Sequence, residues 1–110
     1  MKLKKYPRVS IIIANYNGGQ VLFDCIESLK ELNYSNFEII LVDDGSIDDS
    51  FEKAVKNIGN LKLITHKNKK NLGFVGANNV GLTLASGKYI LLLNNDTKVS
   101  KNLLSELVTK

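Results

Sequence analysis

The sequence has 110 residues, of which 44% are apolar and 24% are charged; this make-up excludes a disordered chain and fits one globular domain over residues 1–110. The formal net charge of +4 favours anionic partners. No apolar run approaches the ~20 residues that span a bilayer, and Met1–Pro7 lacks the apolar stretch of a signal peptide. We therefore expect the protein to lie in the cytoplasm, either free or at the inner face of the membrane.

The first half of the chain contains two apolar runs separated by a helical pattern. Val9–Ala14 is a β-branched run that predicts a strand, and the turn residues Asn15–Gly19 follow it. Apolar residues at helical spacing then predict a helix, with the single cysteine, Cys25, packed on its buried face. Phe37–Val42 predicts the second strand.

The second half repeats this alternation. In chain order it predicts a helix capped by Ser46 or Asp48, a strand over Leu61–Thr65, a helix over Gly73–Ala85, a strand over Tyr89–Leu93 and a helix capped by Ser100. Strict alternation of strands and helices indicates an α/β fold, a parallel sheet of about four strands with helices on both faces. Because its residues are apolar throughout, we expect the last strand to lie centrally in the sheet.

Polar residues follow three of the predicted strands directly. They are Asn15–Asn17 after the first strand, Asp43–Ser46 after the second and Asn94–Asp96 after the fourth. In open parallel sheets, ligands bind at the carboxyl ends of the strands. The sequence therefore predicts that these three segments meet on one rim.

Each polar segment has a functional and a structural interpretation. Asp43 and Asp44 are suited to accept hydrogen bonds from a base or a ribose, or to form a turn and helix cap. Tyr16 is suited to stack on a nucleobase, or to cover the end of the sheet. Asp96 is suited to bind Mg²⁺ or Mn²⁺, which accept few protein oxygens when a diphosphate supplies the rest, or to form a plain turn.

Several common sites have no pattern in this sequence. There is no Gly-x-x-x-x-Gly-Lys-Ser/Thr loop and no Gly-x-Gly-x-x-Gly after the first strand, which disfavours an NTPase and a nicotinamide enzyme. His66 is the only histidine, so a hydrolytic triad and a zinc site lack support. The basic segment His66–Lys70 has no interleaved aromatic residues, so we interpret it as a solvated loop and expect no nucleic-acid partner.

Taken in order, the segments VSIIIANYNGG, FEIILVDDGSIDDS and NLGFVGANNVGLTLASGKYILLLNNDT resemble the front half of a family 2 glycosyltransferase. The resemblance covers Arg8 to about Leu107. It implies the GT-A fold, a Rossmann-like sheet that binds a nucleoside diphosphate sugar together with a divalent metal. It also implies transfer of the sugar to an acceptor hydroxyl with inversion, in a single displacement.

Matched position by position, the resemblance implies a role for each polar segment. Ala14, Asn15 and Tyr16 would lie against the nucleobase. Asp44, or Asp43, would bind the edge of the base or the ribose.

The Asn94–Asp96 segment falls on the family's Asp-x-Asp-like motif. The resemblance puts Asn95 near the ribose and makes Asp96 the ligand of Mg²⁺ or Mn²⁺. Many relatives carry an arginine facing the diphosphate where this chain has Asn78, so neutralisation would rest on the metal or on a lysine. With Asn94–Asp96, this looks closer to the branch that includes rhamnosyltransferase-like enzymes using dTDP-linked sugars. The resemblance as a whole implies a UDP- or dTDP-linked sugar as the donor.

In the family, the catalytic base lies well downstream of the Asp-x-Asp-like motif, and this chain stops at Lys110. The resemblance therefore implies a donor-binding half that does not transfer sugar by itself, with a glycan or lipid-linked acceptor in the full-length protein. We expect apolar surface around Leu103, Leu104 and Leu107 to favour a homodimer.

Three alternative functions remain open on the sequence. The first is a nucleotide-binding or assembly module without catalysis. The second is a nucleotidyltransferase, which requires a basic Gly-rich loop after the first strand. This chain has Asn15–Gly19 there, without arginine or lysine, which counts against this function. The third is a receiver domain, which would want a phosphoacceptor aspartate after the third strand, where this chain has Thr65–Lys67.

Overall fold

A computed structural model describes residues 6–108, so the expectations about residues 1–5 and about Lys110 lie outside the described residues. The elements in chain order are β1 (Val9–Asn15), α1 (Gly19–Leu29), β2 (Phe37–Asp43), α2 (Ser50–Lys56), β3 (Leu63–Lys67), α3 (Gly73–Leu84), β4 (Tyr89–Asn94) and α4 (Leu103–Val108). Each predicted element is present, with β3 two residues further along the chain than predicted. No helix in residues 6–108 is both long and apolar enough to cross a membrane.

The four strands form one parallel sheet in the order β3-β2-β1-β4. The register pairs Asn15 with Asp43 on one side of β1, and Ala14 with Asn94 on the other. Parallel strands in this register end at the same edge of the sheet. The predicted α/β fold with an all-parallel sheet is therefore confirmed, and the polar segments after β1, β2 and β4 lie side by side.

The position of β4 differs from the prediction, because within residues 6–108 it is an edge strand. Its partner is β1 alone, and Ile90 and Leu92 keep 42% and 48% of their surface exposed. Leu93, on the opposite face, is buried. An apolar run indicates that both faces of a strand favour burial, but it carries no information about how many strands flank it.

The two faces of the sheet are covered unequally. The larger core packs α1, α2 and α4 against one face and contains Cys25, Leu29 and Leu104. The smaller core packs α3 against Ile12 of β1 and its neighbours in β2. Gly81 allows this approach, since a Cβ there would overlap the Ile12 side chain. Helices on both faces are thus confirmed.

Cys25 is fully buried, as predicted, and burial raises the pKa of its thiol to about 11. The thiol is therefore protonated at neutral pH and behaves as an apolar core group. Leu104 is also buried, so it does not offer the dimerisation surface that the helical spacing suggested. Leu107, by contrast, is exposed. The homodimer remains a prediction.

A buried carboxylate stabilises the amino-terminal end of the strands, which lies opposite the three polar segments. Glu38 of β2 accepts hydrogen bonds through Oε2 from Ser10 Oγ at 2.6 Å, Ser86 N at 2.8 Å and Ser86 Oγ at 2.9 Å. Lys62 Nζ lies 3.6 Å from its other oxygen. Burial by itself would raise the pKa of Glu38, but these hydrogen bonds and Lys62 outweigh it and lower the pKa. The α3–β4 connection is thereby tied to β1 and β2.

We expect Glu38→Gln to lower the free energy of unfolding at pH 7 by roughly 1.5–3 kcal/mol, the usual value of hydrogen bonds to a charged group. Because the folded pKa lies below the unfolded value near 4.5, the stabilisation is present above that pH and is lost as pH falls through the folded pKa. Urea denaturation at several pH values measures both effects.

The matched control is Glu52→Gln, which removes an exposed partner of Lys67 and should leave stability nearly unchanged. If the loss of unfolding free energy in Glu38→Gln stayed constant from pH 7 to pH 3, the ionised carboxylate would not be the source of the stabilisation.

Candidate functional site

A cavity of about 250 Å³ opens at the carboxyl edge of the sheet. It is lined by Ala14, Asn15, Tyr16, Asp44, Asn71, Gly73, Phe74 and Asn95. Four of these residues come from the three polar segments that the sequence predicted to meet, and Ala14 directly precedes the first segment. Asn71 comes from the β3–α3 connection, and Gly73 and Phe74 are the first two residues of α3. The convergence of the segments on one rim is therefore confirmed.

The Asn15 side chain is buried at the junction of these segments. Its Nδ2 donates to Asp43 Oδ1 at 3.0 Å and to Ser50 Oγ at 2.8 Å, and its Oδ1 accepts from Asn95 Nδ2 at 2.9 Å. One amide thus links the ends of β1 and β2, the start of α2 and the turn after β4. A Cβ at Gly18 would overlap both Asn15 and Asn95, which explains the glycine there.

The two aspartates after β2 have different surroundings. Asp43 is buried outside the cavity lining, where its carboxylate accepts from Asn15 Nδ2 and from Ser46 N at 3.0 Å. Of the two candidates for contact with the base or ribose, the structure therefore brings only Asp44 to the cavity. Asp43 instead holds the turn between β2 and α2.

Asp44 lines the cavity and also fixes the start of α3. Its Oδ1 accepts from Asn68 Nδ2 at 2.9 Å and from Leu72 N at 2.8 Å, and its Oδ2 accepts from Gly73 N at 3.0 Å. Leu72, the N-cap residue of α3, has an apolar side chain that cannot cap the helix. The carboxylate of Asp44, directly after β2, therefore accepts from the N–H groups at the start of α3 in its place. A carboxylate has about four acceptor positions, which leaves Asp44 one for a ligand.

Two aromatic side chains border the cavity. Tyr16 follows β1 and is 52% exposed, while Phe74 is the second residue of α3 and is 60% exposed. Ala14, the last residue of β1 before Asn15, contributes a small side chain to the lining. The cavity therefore combines aromatic sides with a polar interior formed by Asn15, Asp44 and Asn95.

The remaining predicted site residues lie at or outside the rim. Asp96 is exposed in the turn after β4, directly beside Asn95. Residues 6–108 contain no cluster of three or more His, Cys, Asp or Glu side chains suited to a metal. Asn78 is buried in α3, and its Nδ2 donates to Phe74 O at 3.0 Å, so its amide supports the helix instead of lining the cavity.

The sequence did not predict the contribution of Asn71, from the β3–α3 connection, or of Gly73 and Phe74, the first residues of α3. It placed Asn17 in the first polar segment without indicating its role: its φ of 49° is left-handed, and its Oδ1 accepts from Ile47 N at 2.8 Å. The dipeptide Leu72-Gly73 before a helical pattern was a signal of a tight turn, but nothing local indicates that Asp44 binds it.

An all-parallel sheet with a cavity at the carboxyl ends of its strands is the arrangement of Rossmann-like nucleotide-binding proteins. The chain belongs to the family described as Glycosyl transferase family 2, whose model matches residues 10–110. Glycosyltransferase GlyG of Streptococcus pneumoniae serotype 4 is 37% identical over 101 residues, 90% of this chain and 33% of that protein.

Two further similarities agree with this family. The Escherichia coli protein WfaP, a UDP-Glc:alpha-D-GlcNAc-diphosphoundecaprenol beta-1,3-glucosyltransferase, is 38% identical over 86% of this chain and 39% of its own length. The crystal structure of S. aureus TarS 1-349 in complex with UDP-GlcNAc superimposes with a TM-score of 0.85 at 25% identity, covering 93% of this chain and 30% of that chain. The chain thus spans about a third of the length of GlyG and WfaP.

We expect Asn15→Ala to lower the free energy of unfolding by roughly 1–3 kcal/mol, because it removes the hydrogen bonds that its amide makes with the buried Asp43 and Ser50 and the half-buried Asn95. Thermal or urea denaturation measures the loss. The control is Asn79→Ala on the exposed face of α3, which should be neutral. Equal stabilities of the two variants would contradict the role given to Asn15.

Proposed function

We propose that this chain is the donor-binding part of an inverting glycosyltransferase, which holds a UDP- or dTDP-linked sugar with Mg²⁺ or Mn²⁺. The observation that carries the proposal is the cavity at the carboxyl edge, where Tyr16, Asp44 and Asn95 meet in a chain of the Glycosyl transferase family 2. The names of WfaP and of the TarS complex, which refer to UDP-Glc and UDP-GlcNAc, support a nucleotide sugar as the ligand class.

In this proposal the nucleoside enters the cavity with its base against Tyr16. Ala14 leaves room for the base because its side chain is small. The fourth acceptor position of Asp44 receives a hydrogen bond from the base edge or the ribose, and Asn95 lies near the ribose. The buried bonds of Asn15 keep these groups in place, so little ordering is needed when the nucleotide binds.

The donor atoms present fit a metal held mainly by the diphosphate. Asp96 offers one exposed carboxylate and Asn95 a neutral amide, which suits a hard divalent ion that keeps water and phosphate oxygens as its other ligands. When bound, such an ion neutralises charge on the departing diphosphate. Asn78 is neutral and faces its own helix, so it adds no charge there.

The described cavity has no group suited to act as the catalytic base. Of its lining residues in the described chain, Asp44 is the only carboxylate, and three of its acceptor positions already receive hydrogen bonds from the chain. We therefore assign proton abstraction and acceptor binding to residues outside 6–108. The acceptor is a glycan or a lipid-linked sugar, the latter met at the inner face of the membrane.

We expect Asp96→Ala to weaken binding of UDP in the presence of Mn²⁺ by roughly 10- to 100-fold, because a charge-assisted contact is lost. Binding without metal should be unchanged, and so should the fold, since Asp96 is exposed. Calorimetric titration with UDP and with dTDP, each with and without Mn²⁺, measures both effects and the base preference.

The matched control is Asp49→Ala, which removes an exposed carboxylate paired with Lys53. Its affinity should equal that of the wild type under each condition. If Asp96→Ala kept the full metal-dependent affinity, the metal assignment would be wrong. If the wild-type chain bound neither nucleotide, the donor-binding function itself would be contradicted.

A further inference from the structure

Phe74 has an exposure that the fold does not explain. Among the described aromatic residues it is the most exposed, at 60%, and a phenyl ring has no polar atom that benefits from contact with water. It also lines the same cavity as Tyr16, although the two residues come from α3 and from the end of β1. An apolar ring held in water beside a polar cavity indicates a ligand surface.

The backbone that carries this ring is firmly held. Gly73, with φ of 84°, donates to Asp44 Oδ2, and the carbonyl of Phe74 accepts from Asn78 Nδ2. About two turns after Phe74, Gly81 packs α3 closely against Ile12. The exposed ring therefore projects from a fixed helix start, and its position does not depend on a loose loop.

The lining residues define what fits between the two rings. Polar groups of Asn15, Asp44 and Asn71 lie within the cavity, while Tyr16 and Phe74 offer aromatic surface. A planar heteroaromatic ring with hydrogen-bonding edges satisfies both kinds of surface. A bare diphosphate, which is highly charged and has no planar ring, gains little from aromatic faces.

We infer that Phe74 is a specificity residue for the nucleobase, forming with Tyr16 the two aromatic sides of a slot that holds the base of the donor. This inference rests on the proposed function and adds a residue to it. Stacking is tolerant of base identity, so the slot distinguishes nucleotides from other phosphates, and hydrogen bonds to the base edge select among nucleotides.

The test is calorimetric titration of the wild type, Phe74→Ala and Phe74→Tyr with uridine, UDP and inorganic pyrophosphate, the latter two with Mn²⁺. We expect Phe74→Ala to weaken uridine and UDP binding by the same factor, about 5- to 150-fold, which is the usual effect of removing one stacking partner. Pyrophosphate binding should not change. Phe74→Tyr, which keeps the ring, should retain the wild-type affinities.

The matched control is Val75→Ala, which shortens the adjacent side chain, 71% exposed and outside the cavity lining. It should bind all three ligands like the wild type. If the wild type bound UDP and Phe74→Ala bound it with the same affinity, this inference alone would be overturned. An equal loss of affinity for UDP and for pyrophosphate in Phe74→Ala would overturn it as well. Failure of the wild type to bind uridine or UDP would overturn the proposed function and this inference together.

Discussion

The hydrogen bonds of the buried Asn15 amide are the interaction on which the site depends. Each of the three polar segments at the carboxyl edge, residues 15–17, 43–46 and 94–96, is short and contains no aliphatic side chain that could hold it against the core. Asn15 links Asp43, Ser50 and Asn95, so loops that are distant in sequence share one buried junction. A fully satisfied buried polar group of this kind specifies a single arrangement, because any other leaves donors or acceptors without partners.

Different residues of the site hold the loops in place and offer surface to a ligand. The buried polar residues Asn15 and Asp43 bond to other parts of the chain and hold the loops, whereas the exposed Tyr16, Phe74 and Asp96 have surface available for a ligand. Asp44 has both roles, since it caps α3 and still lines the cavity. The framework is therefore largely formed before a ligand arrives, which lowers the entropic cost of binding.

Much of this could be predicted from the sequence, because strand–helix alternation and polar residues after strands are local patterns. The convergence of Asn15, Asp44 and Asn95 followed from these patterns and the geometry of parallel sheets. The edge position of β4 did not, since alternation does not encode strand order. The capping of α3 by Asp44 was missed because it depends on contacts between segments about thirty residues apart. The place of Phe74 beside Tyr16 was missed because the two residues come from distant parts of the chain.

Both proposals require that a nucleotide bind at the carboxyl edge of this sheet. Titration with UDP and Mg²⁺, followed by the backbone amide NMR signals, locates the bound nucleotide on the chain. We expect shifts concentrated at Tyr16, Gly73, Phe74 and Asn95, with the signals around Glu38 unchanged at the opposite end of the strands. Shifts centred on that opposite end, or no shifts at saturating UDP, would contradict both proposals.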